Sequence, residues 1–425
     1  MEFNEFDFHP QVMSGITTAG FVTPTPIQAR TIQPALENKD VMGLAQTGTG
    51  KTAAFVLPIL QRLNNGKRGQ IRALVIAPTR ELAEQTHDTC RTLGRKTGLR
   101  CATVYGGVSM SSQMNKLRKG VDIVIACPGR LLDYINRRTI NLSRLEVLVL
   151  DEADRMLDMG FLPDIKKIIQ HIPRSRQTLL FSATMPEGIR KLANDILKSP
   201  VTVQIDHSVP VNTVSHALYS VDQHLKTGLL LKLLGKTDTE SVLVFTRTKH
   251  RAKRVGEQLG KAGYRAASLQ GNLSQNKRQE ALNGFRNGRY QVLVATDIAA
   301  RGIDVSCISH VINFDIPDTA DAYTHRIGRT GRAAKTGDAF TFITREDEYM
   351  VRSIERVLGE KVERRTLEGF DYKKPASADS LRAARPQRGA QRGKSNKKKT
   401  MAWTNVSALS HKSGRRNKPV HTVAS

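Results

Sequence analysis

A chain of 425 residues is long enough for two core-forming domains and a tail. Its formal net charge of +27 and pI near 10.2 ask for a polyanionic partner, because Lys and Arg that neutralise phosphates gain affinity by releasing counterions. Four cysteines, Cys90, Cys101, Cys127 and Cys307, show no C-x-x-C spacing, which argues against a zinc site or a disulfide framework. Residues 1–6 are acidic and lack the apolar core of a signal peptide, and no apolar run approaches the roughly twenty residues of a membrane span, so a soluble, cytoplasmic protein without a membrane partner is expected.

In chain order, the first strand-like run, 41–44, leads into Ala45-Gln46-Thr47-Gly48-Thr49-Gly50-Lys51-Thr52, and residues 53–57 continue as helix. Strand, glycine-rich loop and helix in that order form a phosphate loop. Gly48 and Gly50 let backbone amides turn toward phosphate, Lys51 reaches the outer phosphates, and the Thr52 hydroxyl ligates magnesium. Ala45 stands where the usual pattern has its first Gly, and suits the turn provided its φ is negative.

Further apolar runs follow at 73–76, 122–125, 147–150 and 178–181, and the third of these ends in Asp151-Glu152-Ala153-Asp154. Ligands of open α/β sheets collect outside the carboxyl ends of buried parallel strands, so Asp151 is placed to hold a nucleotide's magnesium and Glu152 to position a water. Alone, the acidic string also suits a helix start, whose dipole favours Asp and Glu. The phosphate loop about a hundred residues upstream decides for the nucleotide.

The strand and helix alternation repeats with runs at 242–245, 292–295, 311–314 and 339–342. The prediction is an α/β protein of two similar doubly wound parallel-sheet lobes, residues 1–207 and 208–369. They join near Asp206-His207-Ser208-Val209-Pro210, a polar stretch closed by Pro. Beyond them, residues 370–425 form a basic tail; 371–425 hold 14 Lys and Arg against two Asp. Such a segment cannot bury enough apolar surface to offset its ordering entropy, and is expected to be disordered.

More strings fall at strand ends. They are Gly20-Phe21 with Pro24-Thr25-Pro26-Ile27-Gln28, Pro78-Thr79-Arg80-Glu81-Leu82, Gly106-Gly107, Pro128-Gly129-Arg130 and Ser182-Ala183-Thr184 in the first half. The second half has Thr246-Arg247, Gln275 to Arg278, Thr296-Asp297, Arg301-Gly302-Ile303-Asp304 and His325-Arg326-Ile327-Gly328-Arg329-Thr330-Gly331-Arg332. In this order they resemble the DEAD-box RNA helicases, most closely the bacterial RhlE-like branch, over about residues 3–365.

The resemblance implies two tandem RecA-like lobes that bind ATP and Mg²⁺ between them and RNA across both. Phe21 would stack on adenine and Gln28 read its edge with an amide that both donates and accepts. The loop from Ala45 to Thr52 would hold the phosphates, and Gly302 and Asp304 the ribose. Lys51, Asp151 and Glu152 would act in hydrolysis with Arg329 and Arg332 from the opposite lobe, an arginine finger of a kind worth on the order of 10³–10⁵ in rate in GTPases. Asp154, Ser182, Thr184 and His325 would couple the nucleotide to lobe contact.

For RNA, the resemblance points to Pro78, Thr79, Arg80, Gly106, Gly107, Pro128, Gly129 and Arg130 in the first lobe, with Thr246, Arg247, Arg278 and Thr296 in the second. Such contacts read backbone and sugar and carry little base information, and RNA is told from DNA at the 2′-hydroxyl. Two positions depart from the pattern: Cys127 where Thr is usual and Gln270 where His is common.

The reading is an ATP-dependent RNA helicase, with hydrolysis stimulated by RNA and coupled to local duplex separation or RNP remodelling. Its core is expected to be monomeric and to take single-stranded and short duplex RNA without sequence preference; membership of RNP or ribosome-assembly complexes is left open. A non-catalytic scaffold would lose Lys51, Glu152 or Arg329, and a DNA translocase would lack the Gln28 segment and the Pro-Thr-Arg-Glu-Leu string; all are present. An ATP-gated RNA clamp uses the same residues and stands as the alternative.

Overall fold

Among the described residues, fourteen short strands form two parallel sheets. The first contains β1 (Val41–Leu44), β2 (Ala73–Ile76), β3 (Cys101–Val104), β4 (Ile123–Ala126), β5 (Val147–Leu150), β6 (Gln177–Ser182) and β7 (Val201–Gln204). The second contains β8 (Val214–Ser220), β9 (Val242–Phe245), β10 (Ala266–Leu269), β11 (Val292–Ala295), β12 (His310–Asn313), β13 (Gly337–Ile343) and β14 (Glu363–Arg364). This computed structural model describes residues 1–46, 48–205, 214–237, 240–300, 308–330 and 337–375. The expected join near Asp206–Pro210 and the tail from residue 376 onward lie outside the described residues.

The sheets run in the orders β3-β4-β2-β5-β6-β1-β7 and β10-β11-β9-β12-β13-β8-β14. Renumbered from its own first strand, the second repeats the first. Every residue of β2, β4 and β5 is buried, as parallel strands covered by helices on both faces require. Alternation sorts the side chains. Val75, Ile125, Val149 and Phe181 join one core with Phe55 and Leu57, while Leu74, Val124, Leu148 and Leu180 join the other with Tyr134 and Ile168.

The predicted central runs match strands to within a residue or two at either end. The runs expected at 122–125 and 311–314 are each one residue later or earlier as strands, at β4 and β12. Five strands were not expected: β3 and β7 at the edges of the first sheet, β10 and β14 at the edges of the second, and β8 inside it. Edge strands bury one side only, so β7 leaves Thr202 and Gln204 exposed and both residues of β14 are exposed. The packed second lobe also reaches past residue 369. Phe370 and Tyr372 stack edge to face at 4.9 Å and pack against its core. Among the described residues, no helix is long and apolar enough to cross a membrane.

Candidate active site

In the first sheet β5, β6 and β1 are neighbours, and their carboxyl ends carry the acidic tetrad, Ser182-Ala183-Thr184 and the phosphate loop. Leu44 pairs in register with Ser182, and the Ala45 amide donates to the Ser182 carbonyl at 3.1 Å. Three segments distant in sequence are therefore brought to one sheet edge.

Gly48 and Gly50 have φ of 87° and 92°, a region open to glycine at no steric cost. Ala45 is buried and is not among the residues of positive φ, so the variant loop turns as its sequence requires. Helix Lys51–Leu63 starts at Gly50 with no side chain capping it, which leaves its first amides and dipole directed at the loop. The buried Lys51 ammonium donates to the Ala45 carbonyl at 2.8 Å. Thr52 is half-buried on the first turn, while Thr49 bonds its own loop at Gln46. Thr47 lies outside the described residues.

Gln28 spans two tasks within the protein. Its Oε1 accepts from the Thr25 amide at 2.9 Å, capping helix Pro26–Leu36, and its Nε2 donates to the Gly50 carbonyl at 3.0 Å. A Cβ added to Gly50 would lie 2.5 Å from that Nε2. Phe21 is exposed and backed by the buried Phe3, their rings 6.0 Å apart.

Asp151 is buried, and its Oδ1 has no hydrogen-bond partner. Burial pushes its carboxyl up to about 7, against the pull of the Lys51 charge and with a further push from Glu152. A buried oxygen left unpaired within reach of the Lys51 charge is suited to a hard cation that takes one or two protein oxygens and phosphate for the rest. Asp151 and Thr52 thus fit Mg²⁺. Glu152 sits at φ 52°, ψ 53°, a left-handed conformation unusual for a side-chain-bearing residue. Its Oε2 accepts from Arg155 Nη1 at 2.8 Å, both groups buried.

Asp154 closes the network. Its Oδ2 accepts from the Thr184 amide at 2.9 Å, the Thr184 hydroxyl at 3.1 Å and the Ala183 amide at 3.2 Å, while its own amide donates to Ser182 Oγ at 3.1 Å. Burial would raise its pKa. The Thr184 amide, Lys51, the Thr184 hydroxyl and His325 outweigh burial and hold it below the ordinary range. His325 belongs to helix Ala320–Ile327 of the second lobe, so Asp154 feels a charge from across the cleft. Arg329 is buried just beyond that helix. Arg332, Gly302 and Asp304 lie outside the described residues.

The residues expected at RNA gather on the other half of each sheet. Pro78, Thr79 and Arg80 follow β2, Gly106 and Gly107 follow β3, and Pro128, Gly129 and Arg130 follow β4. Thr246 and Arg247 follow β9, Arg278 follows β10 and Thr296 follows β11, the same three positions of the repeated order. Gly107, at φ 78°, lies so close to Arg80 that a Cβ would sit 2.2 Å from Nη1. Arg130 Nη1 donates to the Val108 carbonyl at 3.4 Å. Thr79 caps helix Arg80–Leu93, and Pro128 begins helix Pro128–Asn136. Two expected phosphate ligands are already engaged: Arg278 with Glu81 of the first lobe at 2.7 Å, and Arg247 with Asp318 at 3.3 Å.

Residues 25–192 match the DEAD/DEAH box helicase family, and residues 225–334 match the helicase conserved C-terminal domain. The chain belongs to the DEAD-box ATP-dependent RNA helicases. The CshA helicase of Bacillus subtilis (strain 168) is 45% identical over 363 residues, 85% of this chain and 73% of that protein. CshA of Geobacillus kaustophilus (strain HTA426) is also 45% identical, covering 85% of this chain and 78% of its own. Among solved structures, S. cerevisiae Dbp5 bound to RNA and ADP BeF3 aligns with a TM-score of 0.78 at 30% identity, over 85% of this chain and 95% of that one. A DEAD box protein from Methanococcus jannaschii aligns at 0.52 and 36% identity, over 86% and 99%. As a DEAD-box helicase the chain hydrolyses ATP with Mg²⁺ and acts on RNA.

Three residues of this DEAD-box site had no assigned role in the sequence reading. Arg155 grips Glu152, and its signal was only the i, i+3 spacing beside the tetrad. Arg326, inside the His325–Arg332 string, forks onto both oxygens of Asp297 at 2.6 Å each, donates to Asn313 and lies 4.9 Å over the Phe245 ring. It ties the ends of β9, β11 and β12 together. Glu81, inside the Pro-Thr-Arg-Glu-Leu string, is the partner of Arg278.

Proposed function

We propose that residues 1–207 form the ATP-binding lobe and residues 208–369 the lobe that completes it, and that ATP and RNA together hold them closed. The adjacency of β5, β6 and β1 carries this reading, since it delivers Lys51, Asp151, Glu152, Asp154 and Thr184 to one edge, where the charge of His325 from the second lobe reaches Asp154. Likeness to Dbp5 in its RNA and ADP BeF3 complex supports the closed arrangement.

In this reading Asp151 and Thr52 would hold Mg²⁺, which would supply neutralisation of charge at the transferred phosphate. Lys51 holds the outer phosphates. Glu152, gripped by Arg155, orients the attacking water, and Arg329 with Arg332 stabilises charge as it develops. Asp154 with Ser182 and Thr184 relays that state to His325. Across the other half of both sheets, Arg80, Arg130, Arg247, Arg278, Thr79, Thr246 and Thr296 hold the RNA backbone, with Gly106 and Gly107 presenting backbone amides. Phe21 stacks on adenine and Gln28 selects it. Cytoplasmic location, a monomeric core and the RhlE-like branch rest on the sequence.

Phosphate release with and without single-stranded RNA tests the coupling. Turnover should rise with RNA, and equal rates would exclude closure as the trigger.

A further inference from the structure

The carboxyl edge of the second sheet continues beyond the RNA-side half. Next to β9, which Thr246 and Arg247 follow, come β12 and β13, and Thr344 and Arg345 follow β13. Arg247, Lys226, His224 and Arg345 line one open cavity of about 570 Å³. From Arg345 the chain enters helix Glu348–Leu358. Tyr349, Arg352 and Arg356 share its outer face at helical spacing, and Arg345 precedes them by one turn.

Charges on this face are divided unequally. Asp347 accepts from the Thr344 amide and hydroxyl, Glu348 from Arg364, and Glu355 from the Val362 amide. Within the cavity, the buried Asp315 is taken by Arg251, Lys226 and the Arg247 amide. Among the described residues, Arg345, Arg352 and Arg356 have neither an ion pair nor a side-chain hydrogen bond, and Asp222, Glu346 and Asp347, the last bonded only to the neutral Thr344, are the acids left on the cavity rim. Tyr349 is 80% exposed, more than any other exposed large hydrophobic side chain described. A solvated helix face gains nothing from presenting an aromatic ring among unpaired arginines. A single strand does, because bases stack on the ring while guanidinium groups take the phosphates.

Building on the RNA-binding role proposed above, we infer that this face is a second RNA surface. Single-stranded RNA leaving Arg247 crosses the cavity and runs along Arg345, Tyr349, Arg352 and Arg356, lengthening the footprint beyond the cleft.

The test uses the full chain and fluorescence anisotropy with two RNAs, a short one confined to the cleft and the same strand extended at either end. Extension should tighten binding to the wild type. Tyr349→Ala should cost roughly tenfold for the extended strand, and Arg352→Gln with Arg356→Gln should lower its log–log salt slope by about 1.4. Both variants should bind the short RNA as the wild type does. If the extended strand binds the variants as tightly as the wild type, with the same salt slope, the surface serves another partner such as a protein and the inference is overturned. Failure of the wild type to bind even the short RNA would instead bring down the RNA-binding reading itself.

Discussion

Glu81 of the first lobe and Arg278 of the second form a forked ion pair, with Arg278 Nε at 3.0 Å and Nη2 at 2.7 Å from a single carboxylate oxygen. Beside it Arg80 Nη1 donates to Gln275 Oε1 at 3.2 Å. Both members of the ion pair are largely buried, so removing one leaves the other short of compensation, at a cost of about 3–5 kcal/mol for a fully buried pair. The lobes are thereby latched next to the residues proposed for RNA. Glu81→Gln should lower RNA-stimulated ATP turnover at least tenfold while leaving ATP affinity near that of the wild type. A double-mutant cycle with Arg278→Gln measures the latch, and additive losses would show that the two residues do not act as a pair.

Arg155 should behave as a positioning residue for Glu152. The carboxylate projects from a strained backbone and is gripped at 2.8 Å by a guanidinium that is itself buried. Misplacing the group proposed to orient the attacking water can cost on the order of 10²-fold. Arg155→Ala is therefore expected to lower kcat by that order with the KM for ATP nearly unchanged, and Arg155→Lys to restore part of it. A lowered Tm with no recovery of kcat in Arg155→Lys would assign Arg155 to folding of the lobe instead.

Asp151 makes the nucleotide-free protein sensitive to pH. Burial raises its carboxyl from 3.8 to about 7, so between those values the folded chain keeps a proton that the unfolded chain has released. Stability must fall as pH rises through that window and stay lowered above it; below pH 3.8 the penalty is absent. Asp151→Asn removes the penalty. Its gain in stability over the wild type, read from Tm, should grow from pH 4 to pH 7 and level off, reaching a few kcal/mol at most, while hydrolysis is lost. A gain independent of pH would mean that the carboxyl is not the source.

How much of this was readable beforehand depends on where each residue lies. The strands β2, β4, β5, β9 and β11 were legible because their positions are apolar throughout, and the loops after them because glycines and charges cluster there. Edge strands such as β14, written Glu363-Arg364, carry no such signal. Nor did the runs reveal that both sheets share one strand order, since order depends on crossovers rather than composition. Pairs were the least legible part. Glu81 and Arg278 stand 197 residues apart, and only the closed arrangement shows that an arginine suited to phosphate is also a latch.

Residues 371–425 carry their prediction in charge alone. With 14 Lys and Arg against two Asp and Trp403 as the single tryptophan, they suit a tether that keeps RNA near the core. Removing residues 376–425, which leaves the packed Phe370 and Tyr372 in place, should raise the RNA concentration for half-maximal turnover and leave saturated turnover nearly constant. If about four phosphate contacts are lost, the log–log salt slope should change by roughly three units. An unchanged slope and half-saturation would show that the tail does not touch RNA.

Gln28 offers the sharpest separation of structural and ligand roles, because its two amide atoms do different things. Oε1 accepts from Thr25 and caps a helix, whereas Nε2 donates to the carbonyl of Gly50 inside the phosphate loop. One further amine hydrogen and one acceptor lone pair remain for an adenine edge. Gln28→Glu keeps the cap but sets a buried carboxylate oxygen against the Gly50 carbonyl, so both the Tm and ATP affinity should fall. Gln28→Ala loses both bonds and should lower Tm as well, by the equivalent of about 1 kcal/mol for the cap. If Gln28 reads adenine, both variants lose ATP-over-GTP preference, by about 1–3 kcal/mol where a buried edge is left unpaired. Competition of ATP and GTP for the same site gives that preference directly. Were it unchanged in Gln28→Glu while affinity for both nucleotides dropped equally, Gln28 would shape the loop alone and adenine selection would fall to other residues.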